Sequence, residues 1–246
     1  MKRMDDKYFV QVTSQKGIDV KMQYPLLGME FGEERCFMRG EVYERLQRAA
    51  ASLPEGLSIR IWDAWRPFVL QEELYRVYSK QIVEEFGLQE ASEEEQKTMI
   101  GNFVALPKPD RSHPPTHTTG GALDVTLIDP CGNELAMGTA FDSFSPKTYT
   151  DYYEKEDNLK IAENAEPPTN PQIEEMEQIR NNRRILLKAM TNAGFVNLDS
   201  EWWHYDYGDR LWAAAVKEPI IYDGVFSVEE MEAFPSQNEE GKKPGI

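Results

Sequence analysis

Residues 105–116 read ALPKPDRSHPPT, four prolines in twelve positions, and no regular element can run through them. Proline lacks an amide hydrogen, clashes with the preceding turn of a helix and holds the residue before it in an extended conformation. The stretch is therefore an irregular loop. Just beyond it, GALDVTLID alternates as a strand, with Ala122, Asp124 and Thr126 on one face and Leu123, Val125 and Leu127 on the other.

Before the loop the elements are mixed. Residues 8–25 read as short strands around a turn, and Val42, Leu46, Ala49 and Leu53 share one face of a helix over 41–53. SIRIWDAW, 58–65, alternates as a strand in which Ile59, Ile61 and Ala64 contrast with Arg60 and Asp63. Pro67 opens a helix to about Phe86, with Val69, Leu70, Leu74, Val77, Ile82 and Val83 as its apolar side. Ser92 and Glu95 have capping-box spacing for another helix.

After the strand, residues 145–170 are polar, acidic and aperiodic, as expected of a surface insertion. Asn170-Pro171 starts a helix and Gly194 stops it; Ile173, Met176, Ile179, Leu186, Leu187 and Met190 form its apolar side. NLDSEWWHYDY follows as a strand with Trp202, His204 and Asp206 on one face, and residues after about Pro235 read as a disordered tail. Strands and helices do not alternate strictly. The expectation is one α+β domain over residues 1–234, with a small, largely antiparallel sheet flanked by helices, and a tail at 235–246.

A net charge of −16 repels nucleic-acid backbones and anionic membranes, so neither is an expected partner. No apolar run is long enough to cross a bilayer. MKRMDDKYFVQV has basic residues without an apolar stretch behind them, which is not the pattern of a signal peptide. Cys36 and Cys131 are expected as two free thiols in a reducing compartment, and the chain as cytoplasmic.

The chain has three histidines, His113, His117 and His204. His113 and His117 have the spacing of a helical metal pair, but Pro114 and Pro115 lie between them and forbid the helix, so His113 reads as an exposed loop residue. His117 precedes Asp124 by seven residues, and Gly120-Gly121 lets the chain turn back between them. Asp124 sits mid-strand among apolar neighbours and needs a cation or a metal as partner. If the strand carrying His204 lies beside that of Asp124, both can point from one sheet face. Two readings of EWWH, 201–204, then stand. It is an ordinary half-buried strand edge, or it completes a set of two imidazoles and one carboxylate that leaves a fourth zinc position open, with Glu201 beside it as a general base.

Four blocks carry a resemblance. His117-Thr-Thr-Gly120-Gly-Ala122-Leu-Asp124 matches H-x-x-G-x-A-x-D, and Glu201-Trp-Trp203-His204 matches E-x-W-H. WDAWRPFVLQ matches a D-x-Y/W-R-P segment, and MGTAFDSFS an M-G-T-x-F-D segment. In this order, over roughly residues 20–215, they resemble the D-alanyl-D-alanine dipeptidase family, the vancomycin-resistance type of zinc DD-peptidase. That family is related in fold to zinc D,D-carboxypeptidases and hedgehog signalling domains.

The resemblance implies one zinc ion per chain held by His117, Asp124 and His204, with Glu201 as catalytic base. It implies that Arg66 meets the scissile carbonyl oxygen and that Asp142 lies near the free amino group of a small D,D-dipeptide. From the residues alone, Arg66 also reads as a surface salt bridge, and Asp142 reads equally as a helix cap in a loop. Trp202, Trp203 and Tyr205 read as packing around the site. Two departures bear on the substrate: Pro115 stands where the family has serine, and the family's N-terminal Asn-Asn-Phe-x-Gly block survives only as Gly28-Met-Glu-Phe31-Gly32. The implied activity is zinc-dependent hydrolysis of D-Ala-D-Ala. The alternatives are a zinc D,D-carboxypeptidase trimming peptidoglycan stem peptides and a non-catalytic zinc-binding module. Glu201 and Arg66 together argue against the last.

Overall fold

The row of seven buried residues Ala122–Ile128 is the centre of the molecule. A computed structural model describes residues 8–155 and 170–234; the expected tail and residues 156–169 of the expected insertion lie outside them. The strands are β1 (Phe9–Val12), β2 (Ile18–Val20), β3 (Cys36–Arg39), β4 (Ser58–Asp63), β5 (Ala122–Ile128), β6 (Val196–Asn197) and β7 (His204–Asp206). The helices are α1 (Gln23–Leu26), α2 (Gly40–Ala51), α3 (Phe68–Glu85), α4 (Glu93–Gly101), α5 (Asn170–Asn192), α6 (Arg210–Val216) and α7 (Val228–Glu232).

Five strands form one sheet in the order β2-β4-β5-β7-β6, and β1 and β3 form a separate antiparallel pair. Only the β2–β4 ladder of the larger sheet is parallel, so the expected α+β fold with a largely antiparallel sheet is what forms. Being central, β5 is covered on both faces, and its alternation separates chemistry instead of water from oil. Leu123, Val125 and Leu127 join Leu46 of α2 and Leu186 and Met190 of α5 in the main apolar cluster. A second cluster gathers Leu70, Leu74, Tyr78 and Ile82 of α3 around Tyr24, Ile100 and Val104. Ser92 caps α4 with the full reciprocal capping box expected from its sequence.

The structure corrects several sequence expectations, among them Ile173, placed on the apolar side of α5 but exposed. Val69, placed on the apolar side of α3, is exposed, whereas Gln71 and Glu73 are buried because both hold polar groups of the chain. The long strand expected over 197–207 is broken. Residues 198–203 form a turn, closed by Glu201 N–H donating to the Leu198 carbonyl and His204 N–H donating to the Glu201 carbonyl. The Asn197 side-chain amide caps the turn by donating to the carbonyls of Glu201 and His204. Asn, Asp and Ser compete for backbone groups in this way, and here they override the β propensity of the tryptophans. Finally, β4 carries an irregularity between Ile61 and Asp63: Ile61 pairs with Val125 and Asp63 with Asp124, leaving Trp62 as the extra residue. Such a bulge re-aims the side chains that follow it.

Cys36 is buried and Cys131 exposed, both as free thiols, as expected. No helix among the described residues is long and apolar enough to cross a membrane.

Candidate metal centre and its cleft

Across three adjacent strands the register lines up Asp63, Asp124 and His204: Asp63 pairs with Asp124, and Asp124 with His204. Directly paired residues share a sheet face. The second imidazole of the site comes from the 3-10 helix Thr116–Thr119, which places His117 against this row. Gly120 ends that helix in the left-handed region at φ 73°, and a side chain there would overlap the Phe9 ring. A glycine is required for the turn to pass.

Two imidazole nitrogens and the carboxylate of Asp124 converge. His117 Nε2 lies 3.2 Å from His204 Nδ1 and 3.4 Å from Asp124 Oδ2, and His204 Nδ1 lies 3.1 Å from Asp124 Oδ1. All three residues are buried, and among the described residues they form a group able to hold a metal ion. The outer nitrogens are already committed. His117 Nδ1–H donates to the Ala64 carbonyl at 2.7 Å, and His204 Nε2–H donates to Asp206 at 2.8 Å. With neutral rings, the inner nitrogens therefore present lone pairs to one another and to a carboxylate, an arrangement that a cation between them stabilises. The residues fit a bound metal.

Glu201 sits in the turn before β7, with Oε2 3.9 Å from His204 Nδ1 and its side chain 30% exposed to the cleft. Burial raises its carboxyl to about 7, opposed by His204 and reinforced by Asp124 and Asp142. Arg66 is buried and is no surface ion pair. Its guanidinium donates to Asp63 at 2.9 Å, to Gln71 at 2.8 Å and to the Tyr24 hydroxyl at 3.0 Å, and lies 3.5 Å from Asp124. Asp142 adopts φ 54°, a left-handed conformation that aspartate tolerates better than most residues. It accepts hydrogen bonds from Tyr24 at 3.0 Å and Tyr78 at 2.7 Å. Burial raises its carboxyl to about 6, with the Asp124 charge adding to the effect. Tyr24 thus links Arg66 to Asp142. All six residues singled out in the sequence line one cleft of about 470 Å³. His113 lies on its outer wall, exposed and bonded to Asp110, away from the ligand group as expected.

Sequence reasoning missed several supports. Asp63, Asp206, Tyr24 and Tyr78 all orient site residues. For Asp63 a signal existed, because it is the first residue of the DAWRP block. Asp209 caps α6, and its carboxyl is pushed up to about 8 by burial and by the adjacent Asp206. Trp202, Trp203 and Tyr205 are buried as packing, as expected.

The loop holding Asp142 is clamped by one buried cation. Arg183 of α5 donates to the carbonyls of Met137, Lys147 and Tyr149, which bracket Asp142 in the chain. Arg183→Met would leave three carbonyls short of a donor. The expected loss is about 2–4 kcal/mol of stability in urea unfolding, with metal content unchanged and KM raised. A variant as stable as the parent would remove the clamp from the account.

The chain matches the family described as D-ala-D-ala dipeptidase over residues 29–222. It is 33% identical over 199 residues to a D-alanyl-D-alanine dipeptidase of Synechocystis sp., covering 77% of either chain. It is 25% identical over 181 residues to a D-alanyl-D-alanine dipeptidase of Escherichia coli (strain K12), covering 72% of this chain and 69% of the relative.

Proposed function

The chain belongs to the D-ala-D-ala dipeptidase family and is a peptidase, and from that premise we propose that it hydrolyses the D-alanyl-D-alanine dipeptide with one zinc ion held by His117, Asp124 and His204. The observation that carries this reading is the convergence of two imidazole nitrogens and a carboxylate within 4.8 Å of one another, with Glu201 and Asp142 in the same cleft. The donor set is two imidazole nitrogens and one carboxylate, with the two nitrogens 3.2 Å apart. Nitrogen-rich donors of this kind suit zinc better than calcium or magnesium, which take oxygen ligands.

When bound, zinc lowers the pKa of water toward neutrality and polarises a carbonyl. Glu201 takes a proton from the attacking water on its carboxylate and returns it to the departing amine; a carboxyl raised to about 7 is matched to both transfers at neutral pH. Arg66, locked by Asp63, Gln71 and Tyr24, offers its guanidinium to the oxygen on which charge develops, so no reorganisation is needed. Asp142, held by two tyrosines, receives the substrate ammonium. The tryptophans around the turn exclude water and fix the ligands. A cytoplasmic, reducing setting belongs to this reading, and the free thiols of Cys36 and Cys131 agree with it. The described residues are read as parts of a single peptidase domain.

The test is substrate length. N-acetyl-D-Ala-D-Ala places a neutral group against Asp142 and is expected to be cleaved roughly a hundredfold less efficiently than the free dipeptide. Asp142→Asn, which keeps the left-handed backbone, shrinks that gap by harming the free dipeptide. The grip depends on the charged carboxylate, so KM for D-Ala-D-Ala rises as pH falls through about 6, and Asp142→Asn lacks that rise. Equal cleavage of the acetylated dipeptide, or of a stem pentapeptide, identifies a D,D-carboxypeptidase instead.

A further inference from the structure

A D,D-dipeptide enters the cleft with two charges, and the residues so far assigned account for the ammonium only. The carboxylate end must be neutralised in a cleft that already holds Asp124, Asp142 and Glu201 on a chain of net charge −16. Three permanent cations line the cleft: Arg66, Lys108 and Arg210. Arg66 is already assigned to the scissile carbonyl oxygen, and Asp63, Gln71 and Tyr24 hold it there. Lys108 is exposed on the proline-rich segment, outside any helix or strand, and no hydrogen bond among the described residues fixes it.

Arg210 is exposed like Lys108, but one edge of its guanidinium is held. Its Nε–H donates to the Pro114 carbonyl at 3.4 Å, three residues before His117. Among the described residues no carboxylate pairs with its guanidinium, so both terminal amino groups remain free to donate. Its backbone is pinned from the preceding residue: Asp209 accepts from the amides of Leu211 and Trp212 and lies against Asp206, the residue that orients His204. A planar guanidinium fork matches the two oxygens of a carboxylate, whereas a hydrated ammonium on a mobile loop does so less well. Asp142 enters the cleft from the side of α1 and α3, through Tyr24 and Tyr78, while Arg210 enters from α6 and the Pro114 turn.

We propose that Arg210 receives the C-terminal carboxylate of the substrate and makes a free carboxyl end a requirement of the site. The proposal rests on cleavage of a short D,D-peptide in this cleft. It holds equally for the dipeptide and for a longer stem peptide, because both end in the same carboxylate.

The experiment compares D-Ala-D-Ala with its C-terminal amide in the metal-loaded wild type and in Arg210→Ala, Arg210→Lys and Lys108→Ala. Calorimetric titration of D-Ala-D-Ala into metal-loaded Glu201→Gln, with and without Arg210→Ala, supplies a readout independent of turnover. Removing a hydrogen-bonded charge partner is expected to raise KM and Kd for D-Ala-D-Ala by about 10- to 100-fold, with kcat changed far less. Arg210→Lys recovers part of the loss, the amide is a poor substrate that Arg210→Ala does not worsen, and Lys108→Ala behaves as wild type. The proposal is overturned if Arg210→Ala harms amide and acid alike, if it leaves the acid's KM and Kd unchanged, or if Lys108→Ala carries the loss. Wild type that cleaves no D,D-peptide overturns the dipeptidase reading, and the titration still decides Arg210: Kd unmoved by Arg210→Ala, or no binding at all, overturns it.

Discussion

Glu201→Gln is expected to fold, keep its metal and lose about 10²–10⁴-fold in kcat. The substitution is nearly isosteric. The turn that presents residue 201 is closed by main-chain groups and by the Asn197 amide, not by the Glu201 carboxylate. What disappears is a carboxylate able to accept a proton from water and hand it on, and an amide does neither. Because the group is only a neighbour of His204, at 3.9 Å, the ligand triangle stays intact. Single-turnover kinetics beside metal analysis separates the two effects. Activity within about threefold of the parent would move the general base to another residue.

His204→Ala and Asp124→Ala are expected to abolish metal retention, leaving less than about a tenth of the wild-type content after dialysis, since each removes one of only three protein ligands. The structural consequences differ. Loss of Asp124 leaves Arg66 with one fewer negative neighbour, at 3.5 Å, but still paired with Asp63. Loss of His204 takes from Asp206 the imidazole that satisfies its Oδ1 and leaves it against Asp209, a second carboxyl. A buried carboxylate left in this way is destabilising. His204→Ala should therefore melt at lower temperature than Asp124→Ala, and a chelator should lower the melting temperature of wild type while leaving that of both variants unchanged. His113→Ala keeps its metal, because His113 is exposed and outside the ligand group. Full occupancy in either ligand variant would overturn the assignment.

Much of this centre was legible because its residue types are scarce and their local setting is strongly patterned. A buried aspartate in an apolar strand demands a partner, and few histidines were available to supply one. The four-proline loop correctly forbade a His113–His117 helix. What the sequence could not display was register. That Asp124 faces His204 is decided by which strands pair and where, and that Asp63 joins the row depends on one extra residue at Trp62. Tyr24 and Tyr78 come from α1 and α3, more than sixty residues from the aspartate they hold, and neither has a local pattern that announces the role. The turn at 198–203 was misread as a strand because two tryptophans outweighed the turn chemistry of Asn197, Asp199 and Ser200. Arg66 and Arg183 look alike in sequence. Only burial shows that one is locked among carboxylates and the other among carbonyls.

The ladder that pairs Asp124 with His204 joins segments 80 residues apart. Side chains alternate along a strand, so a slip of one residue would turn either ligand to the opposite face and dissolve the triangle. Pairings this distant in sequence are among the last and slowest contacts a chain makes. On the proposed reading an ion held by these residues would proofread topology: a chain that has found its native partner strand could capture it, and capture would add its binding energy to the correct register. On the same reading a nascent or mis-threaded molecule would lack the assembled ligands, and its hydrolytic chemistry would stay off until the sheet is complete. Latency of this kind needs no propeptide and no inhibitor, because the fold itself is the safety catch.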